Sequence, residues 1–499
     1  NILKLNPFFL IFFPILVCIP LFYELFINFH IGGILLFKEF LISALTPKLD
    51  NEIIITLVKR LNETILIAFS SWLISIIFGI IFGILSSNIF YKTFNVPILF
   101  KRIIKLFLTV IRSIHEIIWG LILMQIYGIN FSIGIIAICI PYIAINAKVF
   151  SEQIENINFK TIESIKQING FRFSTLITIV WSPVIETLKN FGLYRLECAI
   201  KSTAVLGLFG IGGLGTNIFL SFQTLNFREL WTYLWGLAFL VIISKILLKK
   251  SPLFIASKKS LISFVIALFC ISLFSLSFFV YFIFDKNPIL LYSINNLLKS
   301  NPKLITYDFF KLIIDTVVLC LLSTGIAISF PPILILIINN KAGIKILRLI
   351  SFLFRLIPPP IIILIFLMFN NPSISLAALV LGLHNASITS KLLLTNLNTQ
   401  DTREYTAMKS LGLSKRSSWL FGLFVKQARS YLSYCAYRSD IIIRETAILG
   451  IIGSVGLGWQ LQESLSSFAW SEVIIILFAY SSISIFGELV NGKIKTNLT

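Results

Sequence analysis

The sequence predicts an all-α integral membrane protein with about twelve transmembrane helices, arranged as two tandem six-helix repeats. The chain is 57% hydrophobic and only 13% charged, whereas a soluble globular chain carries about 25% charged residues. Apolar runs of about 20 residues, long enough to cross a bilayer as a helix, recur along its whole length. The second half also repeats charged and glycine motifs of the first half in register. These observations exclude a soluble enzyme and a disordered chain.

The membrane spans are predicted from the apolar runs alone. We interpret the first run as a retained helix and not a signal peptide, since it lacks a small-residue cleavage signature. The fifth and eleventh runs are the least regular. The runs lie near 8–29, 62–87, 103–127, 130–149, 174–200, 229–248, 260–284, 309–338, 346–369, 373–394, 418–450 and 469–490.

The net charge of +20 sets the predicted orientation. In a membrane protein, excess Lys and Arg are retained in cytoplasmic loops. Placing both termini in the cytoplasm puts most of the Lys and Arg on the inner side, including a basic linker over 251–259. We therefore expect the basic residues to orient the chain in the lipid bilayer, and we expect no nucleic-acid partner.

An internal duplication is the most informative feature of the chain. The segment 194–215 matches 437–458 without a gap, and eleven of the 22 positions are identical. Six spans return the chain to its starting side, so the two repeats run in the same direction. We predict a first repeat over 1–250, the linker over 251–259, and a second repeat over 260–499.

Charged residues recur in register inside the duplicated segments. Arg and Lys at the bilayer centre cost about 3 kcal/mol each on insertion scales, so their repetition argues against accident. Two interpretations stay open: the side chains snorkel to the outer interface, or they face a cavity shared by the repeats and attract an anion. The candidate pathway residues are Arg112, Arg195, Lys201, Thr203, Arg355, Arg438, Arg444, Glu445 and Thr446.

Two loops on the predicted cytoplasmic side share a second pattern. The loops lie at about 150–185 and 392–425, and each holds a short polar helix that ends at a glycine. Such a helix is a compact knob, which can transmit the motion of a partner into the spans; an ordinary inter-span loop is the simpler alternative. The candidate coupling residues are Glu163, Ser164, Gly170, Glu404, Ala407 and Gly412.

Repeated glycines follow the charged segments. The run Gly210 to Gly215 fits a dinucleotide-binding pattern, but that pattern needs a strand before it and a helix after it. Here it lies among apolar helices, so we interpret it as a tight backbone turn. The predicted structural glycines are Gly207, Gly213, Gly215, Gly450, Gly456 and Gly458.

Other chemistry is not indicated. The six cysteines lie far apart, and the three histidines cannot form a cluster. No phosphate-binding P-loop motif occurs, so ATP hydrolysis by that route is excluded. We predict no catalytic residue, no metal site and no cofactor bound by this chain.

These motifs together resemble the permeases of type I ABC importers, and within them the phosphonate importer permeases. Their coupling loop has Glu-Ala-Ala, three residues, then Gly. They also carry Tyr-Arg-x-Glu, then Arg-Glu-Ser/Thr-x-x-Leu-Gly and a glycine turn, which Arg438, 444–446 and 456–458 fit closely. The segments 112–116 and 355–358 resemble the Arg-x-Ile-Pro-Glu of the family; the first keeps the Glu and the second keeps the Pro.

The resemblance implies a function and partners. The chain would be two fused permease repeats in a bacterial inner membrane, importing a phosphonate, phosphite or phosphate-like anion by alternating access. Two ATPase subunits would use ATP, and a periplasmic binding protein would deliver the substrate. The alternatives are an ABC permease for an amino acid or osmolyte, and a twelve-helix secondary transporter.

The coupling loops depart from the family pattern. Counting back six from each glycine, Ser164 and Thr406 occupy the place of the family glutamate. Glu163 and Glu404 are displaced by one and two positions. The coupling geometry is therefore expected to be less ideal than in the family.

Overall fold

The structure is a computed structural model that describes residues 7–94, 96–155, 191–192, 194–250, 307–338, 341–399, 403–453 and 455–498. The described residues are helical, and an isolated bridge joins Phe29 and Asn370. Contacts divide the chain into two compact units: the first unit is Ile42–Lys299, and the second unit is Asn1–Leu41 with Ser300–Thr499.

The first unit is built from a series of helices and helix pairs. Long helices alternate with pairs that bend where a helix is interrupted, and α3 crosses the boundary between the two units. Of α3 Gly33–Ser43, only residues 42–43 belong to this unit. The other helices are α4 Asn51–Leu85, α5 Asn88–Phe94, α6 Ile98–Ser113, α7 Glu116–Tyr127, α8 Phe131–Glu155, α9 over 194–208, α10 Leu214–Gln223 and α11 Phe227–Lys250.

The second unit holds two N-terminal helices and a similar series. The N-terminal helices are α1 Pro7–Val17 and α2 Ile19–Ile27. The others are α12 Tyr307–Ile338, α13 Lys341–Leu356, α14 Pro359–Phe366, α15 Ile374–Thr399, α16 Arg403–Ser410, α17 Lys415–Ser418, a π-helical turn Trp419–Phe424, α18 Val425–Gly453, α19 Gly456–Ser466 and α20 Trp470–Leu498.

The N-terminal helices pack on the second half of the sequence. Ser329 Oγ donates to the Ile11 carbonyl at 2.6 Å, and the His30 amide donates to the Phe369 carbonyl at 2.8 Å. Cys18 and Leu21 share an apolar cluster with Ile326 of α12. The compact units therefore do not coincide with the boundaries predicted from sequence repetition, which remain a prediction about the repeats.

The membrane character of the chain is confirmed. Six described helices are long and apolar enough to cross a membrane, or up to nine spans if each bent pair counts as one. The predicted first span is two short helices that meet at Cys18. The predicted spans 260–284, entirely, and 174–200, in large part, lie outside the described residues. Twelve spans in two repeats thus remain a prediction, whereas an all-helical, multi-pass membrane protein is what the described residues form.

Two predicted spans are sharply bent. The axes of α6 and α7 differ by 83°, and those of α13 and α14 by 101°. At the first bend Ile114 is extended, and the His115 side chain caps α7 by accepting from the Ile117 amide at 3.3 Å. At the second bend Pro358 is extended before the prolines that begin α14, where a missing amide N–H leaves no helical hydrogen bond unmade.

Candidate functional site

A threonine on the first long helix of each unit anchors a glycine turn. In the first unit Thr64 Oγ1 of α4 accepts from the Leu214 amide at 2.9 Å. In the second unit Thr316 Oγ1 of α12 accepts from the Leu457 amide at 3.0 Å. Each bond satisfies one of the amides that the start of a helix leaves without a helical partner. The same anchor therefore fixes both turns.

The backbone at these turns requires glycine. Gly213 and Gly456 precede the anchored amides and have φ of +79° and +63°, a region that side chains with a Cβ rarely adopt. A Cβ at Gly213 would lie 2.8 Å from Thr64 Oγ1, and one at Gly456 would lie 2.7 Å from Thr316 Oγ1. Backbone conformation and close contact thus both exclude a larger residue.

The remaining predicted glycines let two helices approach each other. A Cβ on Gly207 would lie 2.8 Å from Gly215 Cα, and a Cβ on Gly450 would lie 2.9 Å from Gly458 Cα. The turn after each charged helix is therefore packed backbone to backbone. This geometry is that of a tight helix hairpin.

One candidate cation of each unit is paired along its own helix. Lys201 Nζ lies 3.0 Å from Glu197 Oε1 on α9, and Arg444 Nη2 lies 3.5 Å from Asp440 Oδ2 on α18. Each pair has the i, i+4 spacing that brings side chains together on a helix. All four side chains are at most 18% exposed, so the pairs are largely removed from water.

The second unit holds another arginine in a three-residue network. Arg438 Nε donates to Asn385 Oδ1 of α15 at 2.9 Å, and Asn385 Nδ2 donates to Glu445 Oε2 at 2.8 Å. Arg438 Nη2 also lies 3.6 Å from Glu445 Oε1. The Arg438 side chain is only 4% exposed. The buried guanidinium thus has both a neutral acceptor and a carboxylate.

The first unit builds its network from different residues at matching places. Arg195 lies over the ring of Tyr142, with its guanidinium carbon 3.6 Å from the ring centroid. Tyr142 Oη lies 2.9 Å from Ser202 Oγ, and Ser202 donates to Glu116 Oε1 at 2.6 Å. Glu116 Oε2 also lies 3.3 Å from His115 Nδ1. A carboxylate again stands near the buried arginine, but it comes from α7.

The carboxylate of the network comes from a different position in each repeat. Ser202 occupies in the first repeat the place that Glu445 holds in the second, and Pro359 occupies the place of Glu116. Tyr142 and Asn385 also correspond. In each unit two of the candidate cations, Arg195 and Lys201 or Arg438 and Arg444, therefore lie near two carboxylates, so these four side chains carry little net charge.

The other candidate pathway residues are placed as follows. Thr203 and Thr446 are buried, and their hydroxyls donate to carbonyls of their own helices, at 2.9 Å to Ala199 and 2.6 Å to Ile443. Arg112 is buried at the end of α6. Arg355 is half-buried at the corresponding place on α13, with its guanidinium carbon 5.9 Å from the centre of the Phe352 ring.

The candidate coupling helix of the second unit is α16. Its eight residues include no buried side chain. Gly412, with φ +84°, ends it: the Gly412 amide bonds the Lys409 carbonyl at 3.1 Å, and the Leu413 amide bonds the Met408 carbonyl at 3.3 Å. This pair of bonds is the Schellman motif that a C-terminal glycine favours.

Two contacts hold α16 to the helix that follows it. Glu404 Oε1 lies 2.7 Å from Lys426 Nζ at the start of α18. The backbone of Tyr405 also lies close to Gly422: a Cβ added to Gly422 would be 3.1 Å from Tyr405 Cα. Ala407 and Thr406 are exposed. The corresponding residues of the first loop, Glu163, Ser164 and Gly170, lie outside the described residues.

The candidate residues omit several contributors to these networks and turns, which are Thr64, Glu116, Tyr142, Ser202, Thr316 and Asn385. Glu116 belongs to a motif already visible in the sequence, but Tyr142 and Asn385 come from a helix about 50 residues before the arginines that they contact. Their signal is a polar or amphipathic side chain at matching positions of an apolar span in both repeats.

The threonine anchors give a direct prediction about stability. In a double variant Thr64→Val and Thr316→Val, the Leu214 and Leu457 amides lose their acceptors, and each buried unpaired amide costs about 1–3 kcal/mol. We expect a lower apparent Tm of the purified chain in detergent, measured by the loss of monodisperse protein after heating. Thr56→Val, at a half-buried threonine that bonds only a carbonyl of its own helix, serves as the control, and equal Tm values for both variants would contradict the anchoring role.

Comparison with known proteins agrees with the motifs. The chain is 22% identical over 172 residues to the phosphite transport system permease protein PtxC of Stutzerimonas stutzeri, a match covering 34% of this chain and 61% of that protein. It is 28% identical over 118 residues to the phosphate-import permease protein PhnE of Mycolicibacterium smegmatis, covering 24% and 22% of the two chains. It is also 26% identical over 194 residues to the ABC transport system permease protein p69 of Mycoplasma genitalium, covering 39% and 34%.

The matches are partial. The matched segments span less than two thirds of the length of each of these relatives. No protein-family model matches the chain, and no solved structure matches it. The resemblance indicated by the sequence motifs is nevertheless confirmed: the chain resembles the permeases of ABC transport systems, including those named for phosphite and phosphate.

Proposed function

We propose that the chain is the membrane-spanning permease of an ABC importer that carries a phosphorus oxyanion, such as phosphite, phosphate or a phosphonate, into the cytoplasm. The observation that carries the proposal is the exposed, glycine-ended helix α16, placed directly between the spans α15 and α18. A rigid helix of this kind gives an ATPase a surface to push, and a gradient-driven transporter has no need of one.

The partners follow from this role. Since the chain has no P-loop, ATP hydrolysis belongs to separate subunits, two of which would dock on the coupling helices of the two repeats. A periplasmic binding protein would deliver the substrate. The chain itself would bind no metal or cofactor and would lie in a bacterial inner membrane with both termini in the cytoplasm.

The buried cations supply a chemistry for the anion. An arginine guanidinium bonds carboxylate and phosphate oxygens in the same forked geometry. Arg438 Nη2 and Arg444 Nη2 lie 3.6 Å and 3.5 Å from carboxylate oxygens of Glu445 and Asp440. An oxygen of a phosphorus oxyanion can therefore take the place of a carboxylate oxygen beside each guanidinium. Transport would then exchange one ion pair for another and would not leave an unpaired charge at membrane depth.

The motion would be alternating access. Closure of the ATPase pair pushes α16, and the rigid contacts of Glu404 with Lys426 and of Tyr405 with Gly422 carry the push into α18. Because Arg438 and Arg444 lie on that same helix, movement of α18 changes the surroundings of both cations. Coupling and substrate exchange are thus linked through one helix.

The docking role of α16 is tested at Leu411, which is 81% exposed beside Gly412. In Leu411→Asp a charge replaces an apolar contact at the centre of the proposed interface, and we expect the amount of ATPase that copurifies with the chain to fall about tenfold, a change of about 1.4 kcal/mol. Leu45→Asp changes an equally exposed leucine, 85% exposed, outside α16 and is expected to retain the ATPase. Equal recovery of the ATPase with both variants would contradict docking at α16.

The substrate role of the cations is tested by uptake. The chain, its ATPase and its binding protein are reconstituted in liposomes, and ATP-dependent uptake of phosphite, phosphate and methylphosphonate is measured. Arg438→Ala combined with Arg444→Ala removes two guanidiniums from α18, and we expect uptake of every accepted anion to fall at least about tenfold. Lys311→Ala combined with Lys493→Ala, at two exposed lysines, is the control. Unchanged uptake in the arginine variant would refute the pathway assignment, and uptake driven by an ion gradient without ATPase would refute the importer itself.

A further inference from the structure

The two bent spans carry a matching stripe of basic residues. On α6 the stripe is Arg102, Lys105 and Arg112, and on α13 it is Lys345, Arg348 and Arg355. Both sets have the spacing i, i+3, i+10, which falls within an arc of about 80° on a helix with 3.6 residues per turn. The stripe thus recurs in register on one face of the equivalent helix in each unit.

A different face of each helix is apolar and exposed. On α6 this face includes Ile103, Phe107 and Val110, and on α13 it includes Ile346 and Ile350. Exposed apolar side chains on a membrane helix are suited to lipid. The basic stripe occupies another arc of the same helix, so α6 and α13 each separate an apolar surface from a charged one.

The helix α6 packs along the spanning helix α8. Lys101 Nζ is 3.1 Å from Glu155 Oε1, at the last residue of α8, whereas Leu108 packs in a cluster with Ala144 and Ala147. The segment of α8 from Glu155 to Ala144 rises about 16 Å at 1.5 Å per residue. The helix α6 therefore follows α8 over a length equal to about half of a 30 Å bilayer core.

The helix α13 runs along α15 in the same way. Leu347 packs in a cluster with Leu393 and Leu394, while Ser351 Oγ lies 3.4 Å from Ser390 Oγ. Further along, His384 Nδ1 lies 2.9 Å from the Phe354 carbonyl. Both stripes thus run from one end of a spanning helix toward its middle.

Each stripe ends beside a buried arginine network. Arg112 lies four residues before Glu116, on the other side of the bend between α6 and α7. Glu116 accepts from Ser202, which contacts Tyr142, the residue whose ring lies under Arg195. Arg355 follows Phe354, which contacts His384, the neighbour of Asn385. Asn385 accepts from Arg438. In each unit the last residue of the stripe is therefore close along the chain to a residue near the buried arginine network.

We propose that the stripe on each bent span lines a water-filled passage along which the oxyanion moves to or from the buried arginine network. This inference rests on the proposed function and deepens it, since it assigns Arg102, Lys105, Lys345 and Arg348 to the route. Three cations in hydrocarbon would each cost several kcal/mol, whereas in a water-filled passage they raise the local concentration of anions. Glu155 beside Lys101 and Lys105 moderates that field at the outset of the first stripe.

The test compares two faces of the same helices in lipid nanodiscs. Lys105→Cys and Arg348→Cys place a thiol in the stripe, and Phe107→Cys and Ile350→Cys place one on the apolar face as matched controls. An anionic and a cationic methanethiosulfonate, neither of which enters lipid, are used as probes. The chain without an introduced cysteine gives the background labelling.

We expect the stripe thiols to react at least about tenfold faster than the controls. We also expect the anionic probe to react faster than the cationic one, because neighbouring cations attract it, and added phosphite to slow the reaction. Stripe thiols that react as slowly as the controls would overturn the proposal. So would stripe thiols that react only in nanodiscs free of anionic lipid, since lipid headgroups would then occupy the stripe.

Uptake in the reconstituted importer separates this proposal from the proposed function. Lys105→Gln combined with Arg348→Gln is expected to lower the initial rate of oxyanion uptake about tenfold, and Lys92→Gln combined with Lys493→Gln is the charge-matched control. An equal rate in both variants would overturn the stripe assignment while the importer stands. A wild-type complex that takes up no phosphorus oxyanion would instead refute the proposed function, and the labelling rates would still decide whether the stripe borders water.

Discussion

The structure depends on how each unit accommodates an arginine inside a helical membrane protein. A buried guanidinium is tolerated only when hydrogen bonds and a counter-charge replace its hydration. Arg438 finds both in Asn385 and Glu445. Arg195 lies over Tyr142, and the carboxylate near it is Glu116, bonded through Ser202. Tyr142 and Glu116 lie on α8 and α7, and Asn385 lies on α15. Placing each arginine beside these residues therefore also constrains how its helix packs on its neighbours.

The duplication conserves this constraint while changing the residues that meet it. The family motifs carry a glutamate in both places, but each repeat of this chain keeps a different one, Glu116 or Glu445. The glycine turns, by contrast, are retained on both sides with their threonine anchors, Thr64 and Thr316. Backbone geometry at a turn allows no substitute for glycine, whereas a carboxylate can reach the same arginine from either of two helices. This difference explains why the glycine turns are the same in both repeats whereas the position of the carboxylate differs.

The sequence predicted the helical membrane class and the resemblance correctly, because hydropathy and short motifs are properties of contiguous residues. It did not recover the bend between α6 and α7, where Ile114 and His115 interrupt an apolar run without a proline. It also missed Tyr142 and Asn385, since contacts between distant helices leave no local pattern. The sequence also did not predict that α1 and α2 pack on the second half, because the residues of an apolar helix do not indicate which other helix it contacts.

The central claim is that each repeat needs one carboxylate at its buried arginine, from either helix. The most direct measurement is the apparent Tm of a double variant that moves the carboxylate of the second repeat to the position it has in the first. Glu445→Ser introduces the residue found at Ser202, and Pro359→Glu introduces the residue found at Glu116. The account predicts that Glu445→Ser lowers Tm by several degrees and that adding Pro359→Glu restores most of the loss, whereas adding Pro359→Ser does not. If Glu445→Ser with Pro359→Glu were no more stable than Glu445→Ser with Pro359→Ser, the claim that either helix can supply the carboxylate would be contradicted.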